Sequence, residues 1–407
     1  MANEHIVAAL DIGTTKIVAL VGEMDEHGDL YVVGHGQAPA DGLRRGVVVD
    51  MDKTVHSIQC AIKDAQLVSG IEIDRLTVGI AGEHVRSISS HGVIGVSRTD
   101  NEVTAADVAK ALEAARNVTI PGDREIIHAI PQEFSVDDET GIKDPIGMSG
   151  VRLEVEAHLV TASVTTARNI YRSLERCSIE IDHIALEAIG LAKIHCTEEE
   201  LAAGSIIVDI GGDITSIALF YDGALRNTAT IALGGRNVTN DIAIGLRTTL
   251  DQAEELKLVH GAALASTVDA EEMVSVAGIA GRASRDISRN VLASIIEPRM
   301  EEILSLVARE LKKMHRWDTS ASGIILTGGG SLLPGTIDLA EQMFDASVRM
   351  GTIGGFRSIP NELNNVRYAT AHGLLLFSFA NEPQAIRKNT STRAWWRRVE
   401  NWITSKF

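Results

Sequence analysis

One short pattern occurs twice in this chain, about 200 residues apart. An apolar run from Ile6 ends in Asp11, Ile12 and Gly13, passes a small polar patch and resumes as a second run to Leu20. A run from Ile206 ends in Asp209, Ile210 and Gly211, passes Gly212 and Asp213, and resumes to Phe220. Short apolar runs split by a glycine-containing turn read as two strands of a hairpin. Further matched segments follow in the same order. Residues 76–82 and 324–330 read as buried strands running into glycines. Residues 187–192 and 368–373 read as helical segments carrying Gly190 and Gly373, where something approaches closely. Two related halves are the economical architecture.

Each half carries an insertion. Apolar runs at 93–96, 126–136 and 151–160 surround a helical stretch at 104–118. That helix opens on Thr104 as N-cap and keeps Val108, Leu112 and Ala115 on one face, which predicts a small α+β subdomain. The second insertion, about 236–298, reads as mostly helical, and a further helix begins at about Pro298, since proline is tolerated in a first turn.

Length and charge narrow the classes. At 407 residues the chain is too long for one small core. Its 38 Lys and Arg against 55 Asp and Glu, a net −17, exclude broad attraction to nucleic acid. Three scattered cysteines, Cys60, Cys177 and Cys196, predict neither a disulfide framework nor structural zinc. No stretch approaches the roughly 18 apolar residues of a membrane span, and the start lacks a basic signal-peptide region. A cytoplasmic body is expected.

The last residues differ from that body. From Asn381 to Phe407 there are six basic and two acidic residues, and three of the four tryptophans. On a helix, Trp395, Trp396, Val399, Trp402, Ile403 and Phe407 fall on one side, with Arg397 and Arg398 on the flank or opposite face. Such a helix suits an anionic lipid interface. Burying each large side chain contributes up to about 1.5–3 kcal/mol, and each basic residue about 1 kcal/mol. A helix docked on the protein's own core is the alternative, and the polar stretch before it reads as a linker.

A carboxylate at a strand end, followed by glycine and hydroxyl residues, suits a phosphate–magnesium site, because turn N–H groups form a nest for phosphate oxygens. Mg²⁺ keeps several waters and takes one or two carboxylates, here Asp11 and Asp209 across a cleft. Gly13, Thr14, Thr15 and Lys16 in the first turn, and Gly211, Gly212, Asp213 and Thr215 in the second, are the candidate contacts. Gly328, Gly329 and Gly330 offer close backbone approach to a nucleoside. Glu187 facing the cleft could orient an attacking water, as phosphoryl transfer requires. Glu254 and Lys257 are either solvated helix charges or base contacts. Either Asp-Ile-Gly turn alone is an ordinary turn; the ordered set points to a nucleotide.

These turns, the glycine-rich strand end and the paired helices resemble the actin/Hsp70/sugar-kinase superfamily. Residues 130–136, 141–150, 232–235 with Asn240 and Asp241, 296–299, and the Trp/Arg tail closely resemble the bacterial cell-division FtsA family. The resemblance implies an actin-like (RNase H-like) α/β fold. Its domains are 1–82 with 163–203, and 204–235 with 299–380; its insertions are 83–162 (subdomain 1C) and 236–298 (2B). A linker at 381–392 and a membrane-targeting helix at 393–407 complete it. It implies ATP with Mg²⁺ as cofactors, Gly234 and Gly235 among the nucleotide contacts, and weak hydrolysis at most, with Glu187 and Asp209 as catalytic positions. It implies polymerisation tuned at Arg285, and a site for the C-terminal peptide of the tubulin-like FtsZ at Arg299 and Glu302. Recruitment of later septal proteins such as FtsN, and a place on the cytoplasmic face of the inner membrane at the septum, follow as well. A metabolite kinase would need a catalytic base in a substrate pocket, which the sequence does not display. The Trp/Arg tail and residues 130–134 count against a pilus-assembly ATPase.

Overall fold

The computed structural model describes residues 5–96, 101–278, 283–314, 317 and 322–381. Each half is built on a five-stranded sheet, and the two sheets share one strand order. In the first, the order is Glu180–Leu186, Arg75–Ile80, His5–Ile12, Lys16–Met24, Leu30–Pro39. In the second it is Val348–Met350, Ile324–Thr327, Ser205–Ile210, Thr215–Tyr221, Ala224–Ile231. The two strands from the repeated pattern and the strand after them form an antiparallel meander in each half, and two later strands add in parallel. Helices cover both faces, which is why the strands read as unbroken apolar runs instead of alternating ones.

The helices Glu187–His195 and Ala369–Asn381 cross at the glycines the sequence singled out. A Cβ on Gly373 would stand 2.4 Å from the carbonyl carbon and oxygen of Gly190, and one on Gly190 2.9 Å from the carbonyl carbon of Gly373. No larger residue permits this approach, and the crossing couples the two halves.

Inserted in the first half is an antiparallel sheet, ordered Arg86–Gly95, Arg152–Ser163, Arg124–Val136, Glu139–Ile142. The helix Ala105–Arg116 packs on it through Val108, Ala111, Leu112 and Ala115. The backbone N–H and hydroxyl of Thr104 both donate to the Asp107 carboxylate, at 3.1 and 2.6 Å. The strand Glu139–Ile142 lay outside the sequence reading, because its exposed, glycine-containing segment has no apolar run.

The second insertion departs from expectation twice. The helices Gly235–Leu246 and Leu250–His260 are followed by a two-stranded hairpin, Met273–Val276 with Arg285–Ser288. The next helix runs from Arg289 to Leu311, with Pro298 inside it instead of opening it. The Ser288 hydroxyl accepts from Asn290 N (3.2 Å) and caps the true start. An internal proline costs about 3 kcal/mol or more. The buried stripe Leu292, Ile296, Met300, Ile303, Leu304, Val307 and Leu311 offsets that several times over, at about 1.5–3 kcal/mol per large side chain. Among the described residues no helix is long and apolar enough to cross a membrane.

The crossing is directly testable. Gly373→Ala is expected to destabilise the chain by about 1–3 kcal/mol through overpacking, read as a lowered thermal midpoint. Gly122→Ala, whose Cβ meets nothing within 4 Å, should leave the midpoint unchanged.

Candidate functional site

The two repeated turns meet. The backbone N–H of Asp213 donates to Thr14 Oγ1 (3.1 Å), and Gly212 packs so closely on Thr15 that a Cβ there would lie 2.3 Å from the threonine methyl. Around this contact Asp11 and Thr14 are buried, Thr15 is exposed, and Asp209 and Lys16 are half-buried.

Asp11 and Asp209 end equivalent central strands, and burial dominates both. Burial pushes the Asp11 carboxyl up to about 6 against the pull of Lys16. Burial, then the Asp11 charge, raises Asp209 to about 6, again opposed by Lys16. Glu187, at the start of its helix, is raised well above the usual range by burial and by the charges of Asp11 and Asp209. Lys16 is the shared counter-charge: burial lowers it to about 8, while Asp11 and Asp209 raise it and Arg367 opposes them. Its ammonium donates to the Arg367 carbonyl (2.5 Å) and lies over the Tyr368 ring at 4.7 Å. The fold thus gathers Asp11, Lys16, Glu187 and Asp209 into one electrostatic cluster.

The glycines bring backbone to the same place. Gly328, at φ +84°, would put a Cβ 2.1 Å from Asp209 Oδ1, and Gly234 would put one 2.6 Å from the carbonyls of Gly211 and Gly212. A Cβ on Gly330 would stand 2.5 Å from Ile210 Cγ2. Gly329 is less constrained, with Arg367 Cβ at 3.9 Å. Gly13 lies in the first turn, where a Cβ would meet the Lys16 carbonyl at 2.8 Å.

Lys257 is buried rather than solvated. Its ammonium donates to Glu254 (2.6 Å), Thr239 Oγ1 (2.8 Å) and the carbonyl of Gly235 (3.2 Å), and burial lowers its pKa despite Glu254. The pair thus backs the Gly234–Gly235 turn. Two candidate contacts are engaged inside the protein. The fully buried Thr215 hydroxyl donates to the Leu233 carbonyl (2.9 Å). The Asp213 carboxylate accepts from Arg45 N (3.1 Å) and from Arg236 Nη1 (3.2 and 3.3 Å). Arg236 Nη2 also donates to the Thr14 carbonyl (2.9 Å), tying one half to the other.

Arg45, Arg236, Arg367 and Tyr368 were absent from the sequence-based set. Arg236 follows the Gly234–Gly235 pair directly, a signal that could have found it; Arg45 and Arg367 reach the turns only through tertiary folding.

The remaining candidates lie elsewhere. Arg299 and Glu302 are one turn apart on the helix Arg289–Leu311. The Arg299 guanidinium forks onto Asp241 (Nε–Oδ2 2.5 Å, Nη2–Oδ1 3.0 Å) and also reaches Glu302. Arg285 is exposed in the hairpin and donates to the Leu246 carbonyl (2.6 Å). Trp395, Trp396, Arg397, Arg398, Val399, Trp402, Ile403 and Phe407 lie outside the described residues.

The donor set fits a magnesium–nucleotide pair: two facing carboxylates, an ammonium and glycine-lined turns, with water and phosphate completing the ion's shell. Among the described residues no group of three or more His, Cys, Asp or Glu stands ready to hold a metal alone. The duplicated sheets and facing aspartate turns define the actin-like class of nucleotide-binding folds. The fold is similar to a chain of the PilM–PilN type IV pilus biogenesis complex (TM-score 0.65, 16% identity, 93% of this chain and 99% of that one). It is also similar to MreB5 of Spiroplasma citri bound to ADP (TM-score 0.56, 13% identity, 92% and 96%). Residues 206–373 match the family described as cell division protein FtsA, and residues 82–161 the SHS2 domain inserted in FtsA. Cell division protein FtsA of Pseudomonas aeruginosa is 40% identical over 99% of this chain and 98% of its own length. The chain belongs to the FtsA family of actin-like cell-division proteins.

The raised carboxyls have a pH consequence. A carboxyl raised on folding holds its proton where the unfolded chain has lost it, so stability falls as pH rises from about 4 through 6 and levels off above. Asp11, moved from 3.8 to about 6, contributes about 1–2 kcal/mol between pH 5 and pH 7.5. Denaturant unfolding of Asp11→Asn without nucleotide should lose that part of the pH dependence and gain stability at pH 7.5. An unchanged profile would contradict the assignment.

Proposed function

We propose that this chain is an ATP-binding adaptor that polymerises at the bacterial division septum, attaches to the cytoplasmic face of the inner membrane and tethers FtsZ there. The meeting of the Asp11 and Asp209 turns across the cleft carries the reading. A ligand held between them couples the relation of the two halves to nucleotide state. Bound ATP with Mg²⁺ supplies phosphate oxygens and a cation to this cluster. Asp11 and Asp209 would hold the ion, Lys16 would balance their charge, and the Gly211–Gly212, Gly234–Gly235 and Gly328–Gly330 backbones would allow close approach. Glu187, beside Asp11 and Asp209, is the residue that would orient an attacking water. MreB5 of Spiroplasma citri has been solved with ADP and with AMPPNP, which supports a nucleotide in this fold.

Membrane attachment rests on the aromatic and basic residues at 393–407. Polymerisation, with Arg285 near the contact, presents many such segments at once, so weak single attachments add by avidity. Arg299 and Glu302 form the FtsZ-peptide site in this reading. Because Asp241 already occupies the Arg299 fork, an acidic peptide exchanges with Asp241 for the guanidinium. The inserted 83–162 region is the surface for later septal proteins such as FtsN.

Co-sedimentation with anionic vesicles tests the tether. The full chain should pellet with ATP and carry the FtsZ C-terminal peptide, whereas Trp395→Glu/Trp402→Glu should stay in solution, a loss of tenfold or more on the order of 2 kcal/mol per buried tryptophan. Equal pelleting of both would sink membrane attachment through this segment.

A further inference from the structure

A cavity separate from the nucleotide cluster shares none of its residues. It is a groove of about 940 Å³ between the inserted subdomain and the edge strand Glu180–Leu186 of the first sheet. Its floor is apolar, with Ile126, Ile127, Ile179, Ile181 and Ile184. Its rim is acidic, with Asp74, Glu113, Glu175, Glu180 and Asp182 against Arg116. Arg75, beside the rim, is shared among Asp74, Glu180 and Asp182 at 3.3–3.9 Å, so one cation faces three carboxylates. Two polar atoms in the wall, Glu125 Oε1 and His183 Nδ1, are buried without a hydrogen-bond partner among the described residues. Burial raises the Glu125 carboxyl. The groove thus offers apolar area, excess negative charge and unused hydrogen-bonding capacity.

The last described helix touches the groove wall. On the helix Ala369–Asn381, Phe377 meets His183 of the groove wall edge-on, with ring centroids 6.1 Å apart. Asn381 is one turn further, its side chain donating to the Phe377 carbonyl (2.9 Å). Residues 382–392 can span at most about 40 Å, ample to bring the following segment to the groove. That segment pairs Trp395, Val399 and Trp402 with Arg393, Arg397 and Arg398, the apolar and basic counterparts of an isoleucine floor and a carboxylate rim.

We propose that this groove is the docking site of the chain's own residues 393–407, and that groove and lipid surface compete for the same aromatic face. The proposal extends the membrane reading above. Docked, the segment is withheld from lipid; an anionic surface draws it out. Polymerisation, by raising the local density of segments, tips the balance toward lipid.

Site-specific photocrosslinking of the full chain tests it. A benzoylphenylalanine replaces Asn117, an exposed uncharged rim residue, or, as control, Leu67, which is 81% exposed on the helix Met51–Ser69. In dilute lipid-free solution, Asn117 should capture residues 393–407 within monomers, about fivefold or more above Leu67, because tethering raises the local concentration. Phosphatidylglycerol vesicles should abolish that capture while pelleting the protein. Capture no greater than at Leu67 overturns the proposal. Capture of an added Arg-rich peptide but never of the tail does so too, and makes the groove a partner site. Capture that persists on protein pelleted with vesicles overturns the competition. Capture in solution with no pelleting supports the docking site and removes the membrane reading instead.

Discussion

Three carboxylates share one buried neighbourhood with one lysine, and the arrangement of the halves depends on it. Asp11 and Asp209 approach because their strands are equivalent members of two superposable sheets, and Glu187 joins them because its helix starts there. Left alone, these groups repel, and burial makes their charged forms costly. The result is raised carboxyl pKa values and a lowered Lys16. A site that is electrostatically unfavourable when bare is one in which a divalent cation and phosphates gain most, because the cation relieves the repulsion that the fold imposes.

Direct contacts hold the halves at the same place. Asp213 accepts from Arg45 and Arg236, Arg236 reaches the Thr14 carbonyl, and Lys16 reaches the Arg367 carbonyl. These link turn to turn, whereas the Gly190–Gly373 crossing links helix to helix. The halves are thus held at two separate places, the turns and the close-packed helix crossing.

Much of this was legible because the repeat displays its own register. Asp11 and Asp209, Gly190 and Gly373, and the strands running into Gly82 and Gly328 announce themselves as pairs, and topology honours each pairing. Legibility failed where tertiary structure decides. Arg45 and Arg367 belong to no pattern, and spacing does not reveal that Thr215 bonds to the Leu233 carbonyl or that Asp213 pairs with Arg236. Pro298 misled because a first-turn preference says nothing of a buried stripe strong enough to carry a helix through a proline. Spacing left Lys257 either solvated or a base contact, and could not show that Gly235 and Thr239 close over it.

The central claim is that the facing aspartates make the cleft a magnesium–nucleotide site. Isothermal titration of the full chain with a non-hydrolysable ATP analogue, with and without Mg²⁺, tests it most directly. Binding should be saturable and weaken at least about tenfold without Mg²⁺ and about as much in Asp209→Asn, roughly 1.4 kcal/mol each. Binding indifferent to both magnesium and Asp209, or no binding at all, would contradict it.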